Sequence, residues 1–161
     1  MSYSPRIVAN ALIRKGKEHG EKLTHMKLQK LVFFLHGWGL ALQGRPIISE
    51  QVEAWPYGPV VDALYHELKH HGSRPIEQYL VELDEESGQL KAFVPTLKDQ
   101  RFWDLLEKVW DRYGSKSAIF LSEITHLPGT PWEQTRKSGG RMIPDELIAS
   151  YFKGKLQQHA G

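Results

Sequence analysis

Residues His66, Glu67, Leu68, Lys69 and His70 spell H-E-x-x-H, the arrangement in which two histidines one helical turn apart hold a zinc ion and the glutamate activates a metal-bound water. A complete site of this kind would make the chain a zinc-dependent hydrolase. The surrounding residues argue against it. At about 100° per residue, Val61, Leu64, Tyr65 and Leu68 form an apolar stripe, and His66 and His70 fall on the opposite, water-facing side of the same helix. The longer form of the motif also requires Gly and then His downstream, where this chain has Ser73 and Ile76, leaving Glu82 or Glu85 as the acidic third ligands on offer. The expectation is a solvated helix face with no metal and no cofactor. The hydrolase built on His66, Glu67 and His70 stands as the alternative.

Other reactive constellations are weaker. The chain has no cysteine, which removes a thiol nucleophile, a disulfide framework and thiolate–zinc chemistry. It has no G-x-S-x-G elbow and no phosphate-cradling glycine loop, and nothing in the spacing joins Ser117, His126 and an aspartate into a triad. Arg136, Lys137 and Arg141 around Gly139 and Gly140 read as an interhelical loop. Trp55, Tyr57 and Trp132 stand beside Pro and Gly at turns, where an aromatic ring either plugs the core or presents a rigid anchor to a partner. Lys27 and Lys30 open an apolar helix on a side with few apolar residues, so a solvated role is the ordinary one for them. His126, just before Pro128 and Gly129, suits the capping of helix carbonyls.

The elements that must position these residues follow from periodicity. Ser4 and Pro5 start a first helix that ends near Gly20, and Thr24 caps a second. On the second, Leu28, Leu31, Val32, Leu35, Trp38 and Leu42 recur along one face, widened by Phe33, Phe34 and Leu40. A helix apolar on most sides belongs at the centre of a core, and Gly37 and Gly39 would let a neighbour's backbone approach. Gly44, Arg45 and Pro46 stop it; residues 47–55 then run extended into a turn at 56–59, and Pro59 starts a third helix closed by Gly72. Residues 76–83 and 89–94 flank the acidic turn 84–88 as a small hairpin. Phe102, Leu105, Leu106, Val109 and Tyr113, with Trp103 and Trp110 beside them, mark a fourth helix ended by Gly114. Ser115 caps a fifth that runs to about Thr125 with Ala118, Leu121 and Ile124 inward, Thr130 to Glu133 form a capping box for a sixth, and a last begins near Pro144 and buries Leu147, Ile148, Tyr151, Phe152 and Leu156. The predicted fold is mainly α, a compact set of about seven helices around residues 27–42, with a small β element at 52–55 and the 76–94 hairpin region.

With 161 residues the chain suffices for one domain with its own core, residues 1–161, and not for two. The richest apolar run, residues 31–42, is interrupted by His36, Gly37 and Gly39 and is shorter than the ~20 residues a bilayer requires. The first 14 residues hold no continuous apolar stretch of signal-peptide length, so a cytoplasmic protein without a membrane partner is expected. Lys and Arg total 21 against 19 acidic residues, mixed along the chain, so direct nucleic-acid binding is not expected.

Three ordered blocks carry a resemblance. MKLQKLVFFLHGWGLAL at 26–42, VEAWPYGPVV at 52–61 and LSEITHLPGTPW at 121–132 resemble the signature of the Panacea domain, the SocA-like antitoxin domain of phage-associated and toxin–antitoxin proteins. Tyr65, Lys69 and Gly72 match that family's Y-x-x-x-K-x-x-G element, and nothing in the family requires His66 or His70. The resemblance implies a protein without a catalytic site that binds and neutralises a partner protein, a toxin encoded nearby. In some members it implies delivery of that toxin to a cellular protease. The surface it points to comprises Lys27, Lys30, Trp55, Tyr57 and the 126–132 loop with His126 and Trp132. The chain departs from the commonest family composition in lacking an appended DNA-binding helix-turn-helix, and its hairpin region matches no family block.

Overall fold

The computed structural model describes residues 2–160, with side chains through residue 158. The fold is mainly α. Its helices are α1 (Pro5–His19), α2 (His25–Gln43), α3 (Asp62–Leu68), α4 (Gln100–Tyr113), α5 (Ala118–His126), α6 (Pro131–Lys137) and α7 (Asp145–Ala160). The strands are β1 (Val52–Trp55), β2 (Gly58–Val60), β3 (Glu82–Asp84), β4 (Gln89–Lys91) and β5 (Met142–Ile143).

The α2 boundaries follow from local chemistry. The Thr24 hydroxyl accepts from the Lys27 amide at 3.3 Å, and Gly44, at φ 66°, closes the helix in the left-handed conformation a Cβ would strain. Between these caps every residue from Lys27 to Leu40 is buried, and α1, α3, α4, α5 and α7 all pack on α2. Phe34 stacks on Tyr113 with ring centroids 4.0 Å apart, the Trp38 indole donates to the Tyr113 hydroxyl at 3.0 Å, and Phe33, Phe34 and Trp38 all meet Phe152 of α7. Gly37 and Gly39 do admit close neighbours, but these are the Phe152 ring and the Ile47 side chain where a neighbouring backbone was expected.

His36 is fully buried within this helix. Its Nδ1 accepts from the backbone amides of Ile47 and Ile48 at 3.2 and 3.4 Å, which places the proton on Nε2, the atom that faces Asp145 Oδ1 at 2.9 Å. One imidazole thereby ties α2 to the chain that follows it and to the start of α7.

That following chain differs from the sequence reading. Pro59 does not start a helix: it lies in β2, which pairs antiparallel with β1 in the register Glu53 to Val60, Ala54 to Pro59 and Trp55 to Gly58. Proline is tolerated there because β2 is an edge strand of the order β2-β1-β5 and needs no outward amide. α3 begins only at Asp62. β5 pairs with the other edge of β1 through Val52 to Ile143 and Glu53 to Met142, and two residues are too short a run to show alternation in sequence.

Three smaller corrections have equally local causes. Gly114 ends α4 as expected, staying right-handed at φ −60°, but the cap of α5 is Ser117, which accepts from Phe120 N at 3.1 Å, and not Ser115. The 76–94 hairpin keeps only β3 and β4, because Ile76 and Leu80 turn inward: Asn10 clamps the Leu80 amide and carbonyl at 2.8 and 2.9 Å. Leu156, expected inside, is 37% exposed near the end of α7.

The contact at Gly37 gives a paired test. A Cβ at Gly37 would enter the Phe152 ring, whereas at Gly154, mid-α7, it would meet nothing within 4 Å. Gly37→Ala is expected to destabilise by about 1–3 kcal/mol through overpacking. Gly154→Ala is expected to stabilise by about 0.5–1 kcal/mol through helix propensity. Urea denaturation of the two variants checks the opposite signs.

Candidate functional site

The β1–β2 turn is held against the first turns of α2 by two polar side chains that α2 buries. Gln29 acts as a backbone mimic toward Val61: its Oε1 accepts from Val61 N at 2.9 Å and its Nε2 donates to Val61 O at 3.1 Å. Lys30 reaches the turn itself, its Nζ donating to the carbonyls of Pro59 at 3.2 Å and Tyr57 at 3.3 Å. The turn carries Tyr57 at its tip and Gly58 at its base. Gly58 sits at φ 116°, where an L side chain is strained, and a Cβ there would meet Lys30 Nζ at 2.5 Å and His126 Cε1 at 3.0 Å. The glycine is therefore demanded by conformation and by packing together.

The far side of the turn is closed by α5 and α6. The imidazole of His126 bonds the Ser122 carbonyl through Nδ1 and lies edge-on to Trp132, with centroids 4.4 Å apart. The Trp132 indole in turn donates to the Trp55 carbonyl. Trp132 is placed by the α6 cap, in which Thr130 accepts from Glu133 N at 3.3 Å while Glu133 accepts from Gly129 N at 2.8 Å. Trp55 packs edge-on to Tyr65 of α3, and Tyr65 meets His25 of α2.

These residues enclose a cavity of about 210 Å³ lined by His25, Met26, Gln29, Lys30, Trp55, Tyr57, Val60, Tyr65 and Gly72. Its electrostatics are one-sided. Burial pushes the Lys30 ammonium down from its ordinary value to about 8, and no charge partner offsets the loss of hydration. His25 is lowered first by burial and then by the positive fields of His71 and Lys30. Beside the cavity an open groove of about 530 Å³ runs along Met26, Ile119, Ser122, Glu123, His126, Leu127 and Pro128.

Of the sequence candidates, Lys30, Trp55, Tyr57, His126 and Trp132 converge here. The two lysines are not solvated: Lys27 is 5% and Lys30 2% exposed, and Lys27 turns away toward Glu21 at 3.4 Å. The side of α2 that looked polar is the side the β1–β2 turn and α3 cover, so its polarity serves buried contacts. His25, Met26, Gln29, Gly58 and Tyr65 were missed. A glutamine and a lysine inside an otherwise apolar helix were the available signal.

The H-E-x-x-H string has no shared face. α3 ends at Leu68, and Lys69–His71 forms a 3-10 turn, so His66 and His70 lose the i, i+4 alignment that zinc needs. His66 is exposed and pairs with Asp62 at 3.2 Å, and Glu67 accepts from Arg6 at 2.6 Å. Among the described residues no group of three or more His, Cys, Asp or Glu could hold a metal. Likewise no described helix is long and apolar enough to cross a membrane.

What the fold presents at this site is a deep helical core that carries a pinned hairpin turn. Residues 28–133 match the family of antitoxin SocA-like proteins with a Panacea domain, and the chain belongs to that family. It is similar to Antitoxin SocA of Caulobacter vibrioides (strain NA1000 / CB15N), with 32% identity over 158 residues that span 94% of this chain and 84% of that protein. No solved structure matches it.

Two outcomes test this site. Replacing His66 and His70 together by Ala should leave stability within about 0.5 kcal/mol and leave zinc content, read by elemental analysis, unchanged. Lys30 also imposes a pH signature. Its folded-state value near 8 lies below its ordinary 10.5, so between these limits the unfolded chain binds more protons and stability rises with pH. Below about pH 8 the cost of burying the ammonium is fully present. The slope of unfolding free energy from pH 8 to 10.5 should be steeper in the wild type than in Lys30→Met.

Proposed function

We propose that residues 1–161 act as one non-catalytic antitoxin domain in the cytoplasm, where it binds a toxin protein encoded nearby and holds it inactive. The contact face is the one on which the β1–β2 turn, the start of α2 and the α5–α6 junction meet. Family membership supports a toxin as the partner. The observation that carries the choice of face is Tyr57, which is 78% exposed on a turn pinned from below by Lys30 and from behind by Trp132 and Trp55.

An aromatic residue whose backbone is pre-ordered in this way contributes contact area with less backbone entropy left to lose. Met26, Ile119 and Leu127, all exposed, flank it along the groove and the cavity. Trp55, His126 and Trp132 support the surface, and Lys30 forms its floor. Lys27, paired with Glu21, acts only by fixing the first turn of α2.

Co-expression with the product of the neighbouring gene, scored by growth and by affinity capture, tests the reading. Tyr57→Ala should weaken association by about 2 kcal/mol or more, roughly thirtyfold, with no change in thermal midpoint. Trp132→Ala should lower the thermal midpoint. Wild-type affinity in Tyr57→Ala would move the contact elsewhere, and failure of the wild type to capture or neutralise any toxin would end the antitoxin reading. A stable complex marks sequestration, whereas protease-dependent loss of the toxin marks delivery.

A further inference from the structure

An ammonium group has three protons to give. In Lys30 the carbonyls of Tyr57 and Pro59 take two, and among the described residues neither a further acceptor nor a carboxylate pairs with it. Yet the side chain is 2% exposed and lines a cavity that opens to the surface beside Tyr57 and Met26. Among the described residues, the elements around it bring no carboxylate bonded to it. α2 brings His25, the 3-10 turn brings His71, α5 brings His126, and the hairpin turn and α3 bring the phenols of Tyr57 and Tyr65. Of the surrounding carboxylates, Glu21 pairs with Lys27, Glu53 with Arg141 and Asp62 with His66, while Glu123 stands exposed in the adjoining groove.

Apart from Lys30 and from Gln29, which is bonded to Val61, the cavity walls are apolar and aromatic, and its 210 Å³ suits a single side chain and falls below the usual size of a small-molecule pocket. A positive, partly dry recess of that size is complementary to one acidic side chain on an aliphatic stem. There the desolvated charge gains more from an opposite charge than it would in water.

We infer that this cavity receives one Asp or Glu side chain of the bound toxin protein, with the Lys30 ammonium as its counter-charge and Trp55, Tyr57 and Tyr65 around its stem. The identity of the partner rests on the antitoxin reading; the existence of the site does not. Recognition is confined to pH values at which Lys30 is protonated, so it weakens as pH rises.

The test uses the whole chain and two small probes, sodium butyrate and butyramide, which share an aliphatic stem and differ in charge. At neutral pH and constant ionic strength, butyrate should saturably shift the amide signals of Gly58 and Gly72 and the indole signal of Trp55 in nitrogen–proton spectra. Butyramide and chloride should not. The response should fall as pH is raised through about 8, and Lys30→Met should abolish it. Because Lys30→Met also strips the turn carbonyls of their donor, Met26→Glu at the exposed rim serves as the second variant: it should fold normally and lose the response by repelling the anion. No response to butyrate, an equal response to butyramide, or an unchanged response in Met26→Glu overturns the site. With a captured toxin, Lys30→Met should raise the dissociation constant roughly tenfold or more, and exposed Lys22→Met should not; equal affinity in Lys30→Met overturns the role in partner recognition. A wild type that binds butyrate but neutralises no toxin refutes the antitoxin reading and leaves the site standing.

Discussion

A helix covered on all sides cannot leave a polar side chain unpaired, and α2 buries four: Lys27, which pairs with Glu21, and beyond it Gln29, Lys30 and His36. An unsatisfied buried donor or acceptor costs about 1–3 kcal/mol, a large share of the stability of a chain this size. Apart from Asp145, which receives the far side of His36, and a long contact to His25, the partners the latter three find are backbone groups between Ile47 and Val61. The segment that follows α2 therefore folds back along it on a row of polar pegs. His36 fixes where the chain leaves the helix, Lys30 fixes the β1–β2 turn, and Gln29 fixes the point where α3 begins.

The proposed contact face inherits its rigidity from those pegs. Tyr57 is exposed without being loosely held, because the carbonyl of its own residue is bonded to Lys30 and the preceding turn is bonded to Trp132. The same arrangement leaves an electrostatic residue. A lysine that satisfies two carbonyls but no carboxylate remains a desolvated positive charge, which weakens the free fold and favours an anion brought from outside. Stability and recognition are thus set against each other at one atom, the Lys30 Nζ.

The H-E-x-x-H string shows how little a spacing means without the secondary structure to hold it. Its histidines would share a face only on an uninterrupted α-helix. α3 ends at Leu68, which with Leu64 is buried in the core, and the chain then tightens into a 3-10 turn toward Gly72. Both members of the motif that α3 does order, His66 and Glu67, find partners elsewhere in Asp62 and Arg6.

Much of the architecture was legible because it is written in side chains close together in the chain. Thr24 and Thr130 cap helices through bonds three residues long, and the apolar stripes of α2 and α4 repeat within a few turns. The three family-like blocks likewise sit in local sequence and drew Lys30, Trp55, Tyr57, His126 and Trp132 toward one surface. What the sequence did not disclose was which way the two lysines face, that Pro59 belongs to a strand, and that His25, Gln29 and Tyr65 complete the cavity. Gln29 meets Val61 across 32 residues and His36 meets Asp145 across 109. Such pairings depend largely on backbone amides and carbonyls, which every residue carries and which leave no mark in a string of side chains. Only the packing of the chain on α2 decides which of them a buried polar group will find.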